Sequence, residues 1–341
     1  MKTPDPTKIN QPWPSSELES VDACPYCGSH TRTLSYHGVQ DWSFYGARGR
    51  WDYHECLQCQ TIYLDPRPTE ASIGQAYASY YTHQSADGAG DASFISRLKL
   101  ACLSRRLKTN FEPRLHLPTF LSPLLNLVGV FISVPFGLEA LSRLAPGRLL
   151  DVGCGAGDLM KLAREMGWQA TGIEVDPDAV TFARARGLDV VQGGVQALGS
   201  WTERFDCINC SHVLEHVHEP LELLNTMTHL LKDDGTLLLS LPNARSHVRA
   251  RYGRFWRGLE APRHLAIPTL EALVSRLTQL GYQHIIQFDV YDVTMPESRR
   301  IRSGRMHVAV IDQIIFKSLK MVRFLRRPAH SDFIQIVARR G

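Results

Sequence analysis

The stretch Leu149-Leu150-Asp151-Val152-Gly153-Cys154-Gly155-Ala156-Gly157-Asp158-Leu159-Met160 decides the fold of this chain. Its apolar beginning, residues 149–152, is typical of a buried parallel strand, and the periodic segment Leu159–Met166 predicts a helix. The glycines between them predict a tight turn. A turn that lacks Cβ atoms lets a ligand lie directly against the backbone, where the first amides of the helix face it.

A second strand, Ala170–Glu174, ends in a carboxylate about 20 residues after the turn, where it can accept hydrogen bonds from two ribose hydroxyls. The glycine spacing is GlyXGlyXGly, whereas dinucleotide-binding turns show GlyXGlyXXGly. The two features together predict a site for a nucleoside.

These residues resemble motif I and the ribose-binding acid of the class I S-adenosylmethionine-dependent methyltransferases. The resemblance continues through residues 205–243, which are similar to the family's fourth strand, the next helix and the fifth strand. Pro262-Arg263-His264-Leu265 resembles a subgroup that acts mostly on small molecules. The match covers about residues 146–290 and the last strand, Asp332–Arg339. It implies a Rossmann-like α/β fold with seven mostly parallel strands and helices on both faces.

The resemblance also implies which residues hold S-adenosylmethionine. They are Asp151, Gly153, Cys154, Gly155, Gly157, Glu174, Val175, Val195 and Asn209. Many relatives carry an acid after the third strand that contacts the adenine amino group, but Gly194 occupies that position here. We therefore expect backbone groups near Val195 to read the adenine. The alternative is a buried glycine turn in some other α/β domain.

Composition sets looser bounds on the 341-residue chain. A net charge of +4 is too small to require a nucleic-acid partner. The N-terminal residues lack the apolar core of a signal peptide, so we expect a cytoplasmic protein with reduced cysteines. We predict a flexible leader at 1–20, a zinc-ribbon-like module at 21–70 and a helical linker with an apolar cap at 71–145. The methyltransferase domain follows at 146–341, with an insertion at about 292–331.

Two CysXXCys pairs, Cys24/Cys27 and Cys56/Cys59, each fit a knuckle whose thiolates bind one metal ion. Four thiolates suit tetrahedral Zn²⁺ in a closed, structural site. Gly28 supplies the first turn, and a β-hairpin carrying Trp42, Phe44 and Trp51 would fill the gap between the pairs. Two redox pairs are the alternative, and His54 is a substitute ligand. The similarly spaced Cys207 and Cys210 lie on an apolar strand and are interpreted as core residues.

Two histidines are the catalytic candidates, because a neutral imidazole can accept the acceptor's proton near pH 7. His212 follows the fourth strand, and His264 lies on a loop after the fifth, at the sheet edge where open α/β folds bind ligands. We favour His264 as the base, on a flexible loop, and His212 as an orienting residue. The run His212-Val213-Leu214-Glu215-His216 is a weaker metal candidate. Methyltransferases that hold a divalent ion near this position have GluXXGluHis, with an acid in place of His212.

The segment Leu115–Leu138 has no formally charged side chain and follows a basic stretch. It is long enough to span a membrane, but its prolines argue against one straight helix. We interpret it as an apolar cap over the active site or as an oligomer contact. Shallow insertion into a bilayer surface is the alternative.

The sequence therefore predicts an S-adenosylmethionine-dependent methyltransferase that methylates an oxygen on a small molecule, a sugar or a lipid-linked precursor. A structured-RNA methyltransferase is the rival, because zinc knuckles precede this fold in some ribosomal-RNA enzymes. Against it, the basic residues are not concentrated around the knuckles. A non-catalytic S-adenosylmethionine sensor or scaffold remains open, as do the acceptor and the oligomeric state.

Overall fold

A computed structural model describes residues 7–77, 94–109, 111–112, 134–290, 293–304 and 330–341 of the chain. Most of the uncharged segment 115–138 and most of the insertion at about 292–331 lie outside these residues. Predictions on those segments are therefore not addressed by the structure.

The main sheet has seven strands in the order β12-β13-β10-β9-β6-β7-β8. Its strands are β6 Arg148–Val152, β7 Gln169–Glu174, β8 Asp189–Gln192, β9 Phe205–Ser211, β10 Leu231–Pro242, β12 Tyr282–Val290 and β13 Phe333–Arg340. β6 pairs in parallel with β7 and β9, and β7 pairs in parallel with β8. β12 and β13 form an antiparallel pair. The predicted seven-stranded, mostly parallel α/β fold is confirmed.

The helices alternate with these strands, as the sequence periodicity predicts. They are α1 Phe94–Leu107, α2 Phe136–Leu141, α3 Asp158–Glu165, α4 Pro177–Ala185, α5 Pro220–Leu230, α6 His247–Tyr252, α7 Leu270–Gln279 and α8 Met295–Ser303. Side-chain caps hold the first turns of α4 and α7. Asp176 caps α4 by accepting a hydrogen bond from the amide of Asp178, and Thr269 caps α7 by accepting one from Ala272.

A smaller antiparallel sheet contains the two cysteine pairs. The strands here are β1 Leu18–Glu19, β2 Arg32–Val39, β3 Trp51–Cys56, β4 Ile62–Leu64, β5 Arg67–Pro68 and β11 Ala266–Ile267. The small sheet has the order β11-β4-β3-β2, and β1 and β5 form a separate two-stranded pair. The predicted hairpin is present as β2 and β3. β11 comes from far along the chain, so the small sheet is closed by a segment outside the module predicted at 21–70.

The chain divides into two compact units. One comprises Met1–Tyr80, His212–Thr228 and Leu239–Gly341, and the other comprises Tyr81–Ser211 and His229–Leu238. The first unit has an aromatic-rich core that includes Trp13, Trp51, Tyr53 and Trp256. In the second, Leu103, Phe111 and Leu138 form a cluster against which Leu159 and Leu162 pack.

The N-terminal residues differ from the flexible leader that we predicted. Ile9 and Trp13 are each only 7% exposed, and the ring of Trp13 packs edge-on against Trp51 at 5.4 Å between centroids. Burial of the large Trp13 ring stabilises this segment against the core, although the prolines around it favour turns.

Among the described residues, no helix combines the length and the apolar character that crossing a membrane requires.

Candidate functional site

The glycine turn after β6 has the backbone conformation that its sequence predicts. Gly153, Gly155 and Gly157 have φ values of 69°, 53° and 78°, in the left-handed region that favours glycine. The amides of Gly153 and Cys154 both donate to the carbonyl of Ile173, at 2.9 and 3.2 Å. The turn is therefore fixed to β7 before α3 begins at Asp158.

The space around the turn distinguishes glycines that pack against side chains from one that is open. A Cβ on Gly157 would lie 2.3 Å from Leu188, and a Cβ on Gly172 would lie 2.5 Å from the sulfur of Cys154. A Cβ on Gly155 would meet nothing within 4 Å. The open side of the turn is thus at Gly155. Gly172 was not predicted as a site residue, because only the packed turn shows the close approach.

Glu174, the predicted ribose-binding acid, lies directly beside this turn. Its carboxylate accepts hydrogen bonds from the amides of Gly155 at 2.8 Å, Val175 at 2.8 Å and Asp176 at 3.0 Å. The side chain of Val175 next to it is exposed. Three amide donors hold the carboxylate in one position and leave oxygen lone pairs for a further donor. This geometry suits recognition of a diol.

Asp151 and Asn209 form a buried pair on neighbouring strands. The Asn209 amide donates to Asp151 Oδ1 at 2.7 Å, and the Ser211 hydroxyl donates to Asn209 Oδ1 at 3.1 Å. Burial raises the pKa of Asp151 to about 7, although the Asn209 hydrogen bond opposes the shift. A Cβ on Gly137 in α2 would approach Asn209 Oδ1 to 3.1 Å, so the described end of the uncharged segment packs close to this pair.

β8, the third strand of the main sheet along the chain, is followed by a short turn. Val195 begins a 3₁₀ turn, Val195–Ser200, and Gly194 precedes it in extended conformation. The amide of Gly193 donates to the carbonyl of Glu174 at 2.9 Å. The predicted adenine-reading segment is thereby attached to the end of β7. Contact of Val195 with adenine stays a prediction.

The four cysteines form one cluster, as the spacing of the two pairs predicts. Their sulfurs all lie within 4.8 Å of one another, with Cys24 to Cys59 at 3.5 Å and Cys27 to Cys56 at 3.4 Å. Tetrahedral zinc with Zn–S bonds of about 2.3 Å places its sulfurs about 3.8 Å apart, which is close to these two separations. His54 is not part of the cluster. Cys207 and Cys210 are buried in β9, in agreement with their interpretation as core residues.

The two knuckles have the same hydrogen-bond pattern. The Gly28 amide donates to the carbonyl of Cys24, and the Gln60 amide donates to the carbonyl of Cys56, both at 2.9 Å. Gly28 and Gln60 have φ values of 74° and 59°, so a left-handed residue closes each turn. The residues present fit a closed four-thiolate metal centre.

His264 lies in a packed segment, which differs from the flexible loop that we predicted. The residue is 4% exposed, and Nδ1 contacts the carbonyl oxygen of Gly258 at 2.6 Å. Burial lowers the pKa of His264 to about 4, although the carboxylate of Glu260 opposes the shift. Nε2 lies 3.6 Å from that carboxylate. A catalytic role for His264 stays a prediction. Because the His264 side chain is buried, an acceptor molecule would reach it less easily than it would reach an exposed side chain.

His212 has the opposite surroundings. Its side chain is 51% exposed, and its Nδ1 lies 3.2 Å from Glu215 Oε1. The backbone has a φ of 58°, which is uncommon outside glycine, and the His212 amide donates to the Ser240 carbonyl at 2.7 Å. The ring meets Phe333 edge-on at 5.1 Å. His212 is thus a fixed and accessible imidazole that follows β9 directly.

Close to His212 lies a group of titratable side chains, of which Glu215 and His264 are buried and His216 is half-buried. Glu215, His216 and His264 offer donor atoms within 4.8 Å of one another, and Glu215 is fully buried. Burial alone would raise the pKa of Glu215, but the His212 hydrogen bond and the neighbouring His216 hold it below its usual value. The direction of this shift favours the ionised form of Glu215.

Sequence reasoning missed a buried ionic network in the same unit. Arg263 is fully buried, pairs with Asp41 at 2.5 Å and donates to the carbonyl of Ala76 at 2.9 Å. Glu260 is its second acidic partner, at 3.2 Å. Arg263 belongs to a motif that the sequence singled out, but its partner lies 222 positions away. No local pattern can reveal such a pair.

Comparisons with known proteins find similar sequences and structures. Residues 135–287 match the family model described as "Methyltransferase domain". Ubiquinone biosynthesis O-methyltransferase from Xanthomonas oryzae is 37% identical over 113 residues, which are 31% of this chain and 47% of the relative. The Xylella fastidiosa protein of the same name is 34% identical over 119 residues, 32% of this chain and 48% of the relative. The chain thus spans about half the length of the curated relatives it matches.

Solved structures similar to this chain carry related names. A SAM-dependent methyltransferase from Archaeoglobus fulgidus is 23% identical, with a TM-score of 0.40, over 59% of this chain and 93% of that one. A methyltransferase from Mesorhizobium loti is 19% identical, with a TM-score of 0.43, over 60% and 95% of the two chains. Residues 135–287 thus match a methyltransferase-domain model, and the described strands form the seven-stranded, mostly parallel sheet that the sequence led us to expect.

Proposed function

We propose that this protein is an S-adenosylmethionine-dependent methyltransferase that methylates an oxygen of a small molecule, a sugar or a lipid-linked precursor. One observation supports the proposal most strongly. Glu174 is held by three backbone amides beside the open side of the turn at Gly155. A carboxylate in this position recognises a ribose, and the glycine allows the rest of the cofactor to lie on the backbone.

When bound, S-adenosylmethionine supplies an electrophilic methyl group on a positively charged sulfur. Glu174 and the amides of the turn would bind and orient the nucleoside, and the pair Asp151–Asn209 would keep the ends of β6 and β9 in register beneath it. An in-line displacement needs alignment above all, and a hydroxyl acceptor also needs a group that takes its proton. His212 and His264 are the candidates for that group.

The acceptor class rests on the relatives. Those with 34–38% identity over the matched segment are named ubiquinone biosynthesis O-methyltransferases, which supports an oxygen acceptor on a small organic molecule. A sugar or a lipid-linked precursor would also offer a hydroxyl oxygen as the methyl acceptor. The matched segment covers about half of each relative, so the acceptor has to be identified by experiment.

We also propose that Cys24, Cys27, Cys56 and Cys59 bind one structural zinc ion. The sulfur separations and the paired knuckle turns support it. Four thiolates leave no coordination position for water or acceptor, so this ion would stabilise the small sheet and take no part in methyl transfer.

The test is methyl transfer from labelled S-adenosylmethionine to the fractionated small molecules, lipids and RNA of a cell extract. We expect label in the small-molecule or lipid fraction with the wild-type protein and none with Glu174→Ala at the same cofactor concentration. Label in RNA would favour the rival RNA methyltransferase. Cofactor binding without label in any fraction would favour a sensor or scaffold.

A further inference from the structure

We propose that Glu215 is a positioning residue that makes His212 the proton acceptor of methyl transfer, an inference that rests on the proposed function. The His212–Glu215 pair has the arrangement of a base and its orienting carboxylate: an accessible imidazole bonded through one nitrogen to a buried acid. This assignment differs from the sequence prediction, which favoured His264 as the base.

The first support is the backbone of His212. A φ of 58° at a non-glycine residue is unfavourable and persists only when the surrounding structure holds it. Here the His212 amide donates to the Ser240 carbonyl at 2.7 Å, and the ring packs edge-on against Phe333. The conformation places the imidazole directly after the carboxyl end of β9, and ligands of open α/β sheets bind at such ends.

The second support is the tautomer that Glu215 selects. The Glu215 Oε1 atom faces Nδ1 of His212, and a carboxylate in its ionised form can only accept hydrogen bonds. Nδ1 of His212 must therefore donate its proton to Glu215 Oε1, across 3.2 Å. The other nitrogen, Nε2, is left with a free lone pair on a half-exposed side chain. That lone pair can accept the proton of a hydroxyl.

The third support is the rigid mounting of Glu215. The residue is fully buried in the 3₁₀ turn Leu214–His216, and its carbonyl accepts the Leu265 amide at 2.7 Å. The titratable groups around it are His212, His216 and His264, with Glu260 beyond them. Within the described part of the chain, Oε2 of Glu215 has no hydrogen-bond partner. Its negative charge is thus available to stabilise an imidazolium at His212.

The step balances without any other reactant. The acceptor oxygen forms a bond to the methyl carbon, and the carbon–sulfur bond breaks with its electron pair remaining on sulfur. The hydroxyl proton moves to Nε2 of His212, and the resulting imidazolium is paired with the Glu215 carboxylate. The proton then passes to solvent, to which 51% of the His212 side chain is exposed.

The direct test needs no acceptor. Nitrogen NMR of histidine-labelled protein reports the tautomer of each ring, and His212→Gln assigns the His212 signals. We expect the Nδ1–H form at His212 in wild type and a mixed tautomer in Glu215→Leu. Asp52→Asn is the matched control, because it removes the acid of the exposed His37–Asp52 pair, with Nδ1 to Oδ1 at 3.0 Å, and should leave His212 unchanged. An Nε2–H form at His212 in wild type overturns the proposal.

A second test uses two probe acceptors. Catechol is neutral at pH 7, whereas one hydroxyl of 4-nitrocatechol is largely ionised and needs no base. We expect Glu215→Gln and His212→Gln to lose about 10²–10⁴-fold in turnover with catechol and far less with 4-nitrocatechol. Equal losses with both probes contradict the proposal, since a merely structural defect would affect both alike. Thermal unfolding and S-adenosylmethionine affinity confirm that each variant is folded.

The outcomes separate this proposal from the proposed function. If wild type methylates neither catechol, the acceptor class is in question, and the tautomer experiment still decides the His212–Glu215 pair. If elemental analysis finds a second metal ion that Glu215→Gln loses and Cys59→Ser keeps, the buried carboxylate binds a cation, and its part as the orienting acid is overturned.

Discussion

At the scale of single residues, the cofactor proposal rests on the glycine turn and on Glu174, whose carboxylate accepts a hydrogen bond from the Gly155 amide at 2.8 Å. Gly153, Gly155, Gly157 and Glu174 were identifiable because their spacing along the chain is set by the strand–turn–helix geometry itself. Gly172 could not be identified, since its need for a missing side chain arises from Cys154 packing across it. Burial at His264 was equally hidden, because a polar segment between two elements usually lies at the surface.

Glu174→Ala should weaken S-adenosylmethionine binding by about 1–3 kcal/mol, because charge-assisted hydrogen bonds to the ribose are lost. Isothermal calorimetry measures the change directly. Asp233→Ala removes an exposed carboxylate and serves as the control that should bind normally. Unchanged affinity in a folded Glu174→Ala protein would show that the ribose is held elsewhere.

The depressed pKa of His264 predicts a pH-dependent stability. The unfolded state binds a proton near the usual pKa of 6.5, whereas the folded state does so only near 4, so stability falls as pH drops through that window. Between pH 7 and pH 5 the free energy of unfolding of wild type should fall by about 2 kcal/mol relative to His264→Gln.

Urea denaturation at the two pH values checks this prediction. The comparison with His264→Gln is needed because Asp151, whose pKa is raised to about 7, has the opposite effect on stability over part of the same range. Parallel pH dependences of the two proteins would mean that folding leaves the pKa of His264 unchanged, which would contradict the prediction.

At the scale of elements, the cysteine knuckles and the hairpin between them were predictable, because two CysXXCys pairs specify their own turns. Strand β11 was not predictable, because nothing in the sequence around Ala266 and Ile267 indicates that they pair with Tyr63 and Ile62. The Thr269 hydroxyl, which caps α7, also donates to the carbonyl of Cys59 at 3.1 Å. The small sheet is thus built from two distant parts of the sequence.

Purified protein should contain about one zinc ion per chain, and Cys59→Ser should lose it. Cys207→Ala removes a buried cysteine of the other CysXXCys pair and should retain the metal. Elemental analysis measures both. A chelator that leaves the melting temperature of the wild-type protein unchanged would contradict a structural zinc site, because metal binding to such a site contributes to folding.

The uncharged segment, residues 115–138, gives a prediction of its own. If it contacts bilayers, the protein should co-sediment with anionic liposomes at low salt and less at high salt, since basic residues precede the segment. Replacing Leu124 and Leu125 by Ser should abolish the binding. Absence of binding at low salt would leave the cap or the oligomer contact.

For the whole molecule, alternation of strand and helix patterns predicts a parallel sheet covered by helices, because a helix that connects two neighbouring strands returns the chain in the same direction. The number of strands, seven, was implied by the resemblance to the methyltransferase family. The placement of residues 7–19 was not predictable, as their proline content resembles that of a linker while Trp13 is buried in the core. The acceptor is the least predictable feature. Cofactor recognition is concentrated in one motif, whereas acceptor recognition depends on side chains that separate segments bring together.

The most direct test of the account is the product formed with ¹³C-methyl S-adenosylmethionine and catechol. Carbon NMR of that product distinguishes a methyl group on oxygen from one on carbon. The account predicts a methoxy signal that grows with time in wild type and is absent with Glu174→Ala. A methyl signal on carbon, or tight cofactor binding with no methylated product from catechol or from the extract fractions, would contradict it.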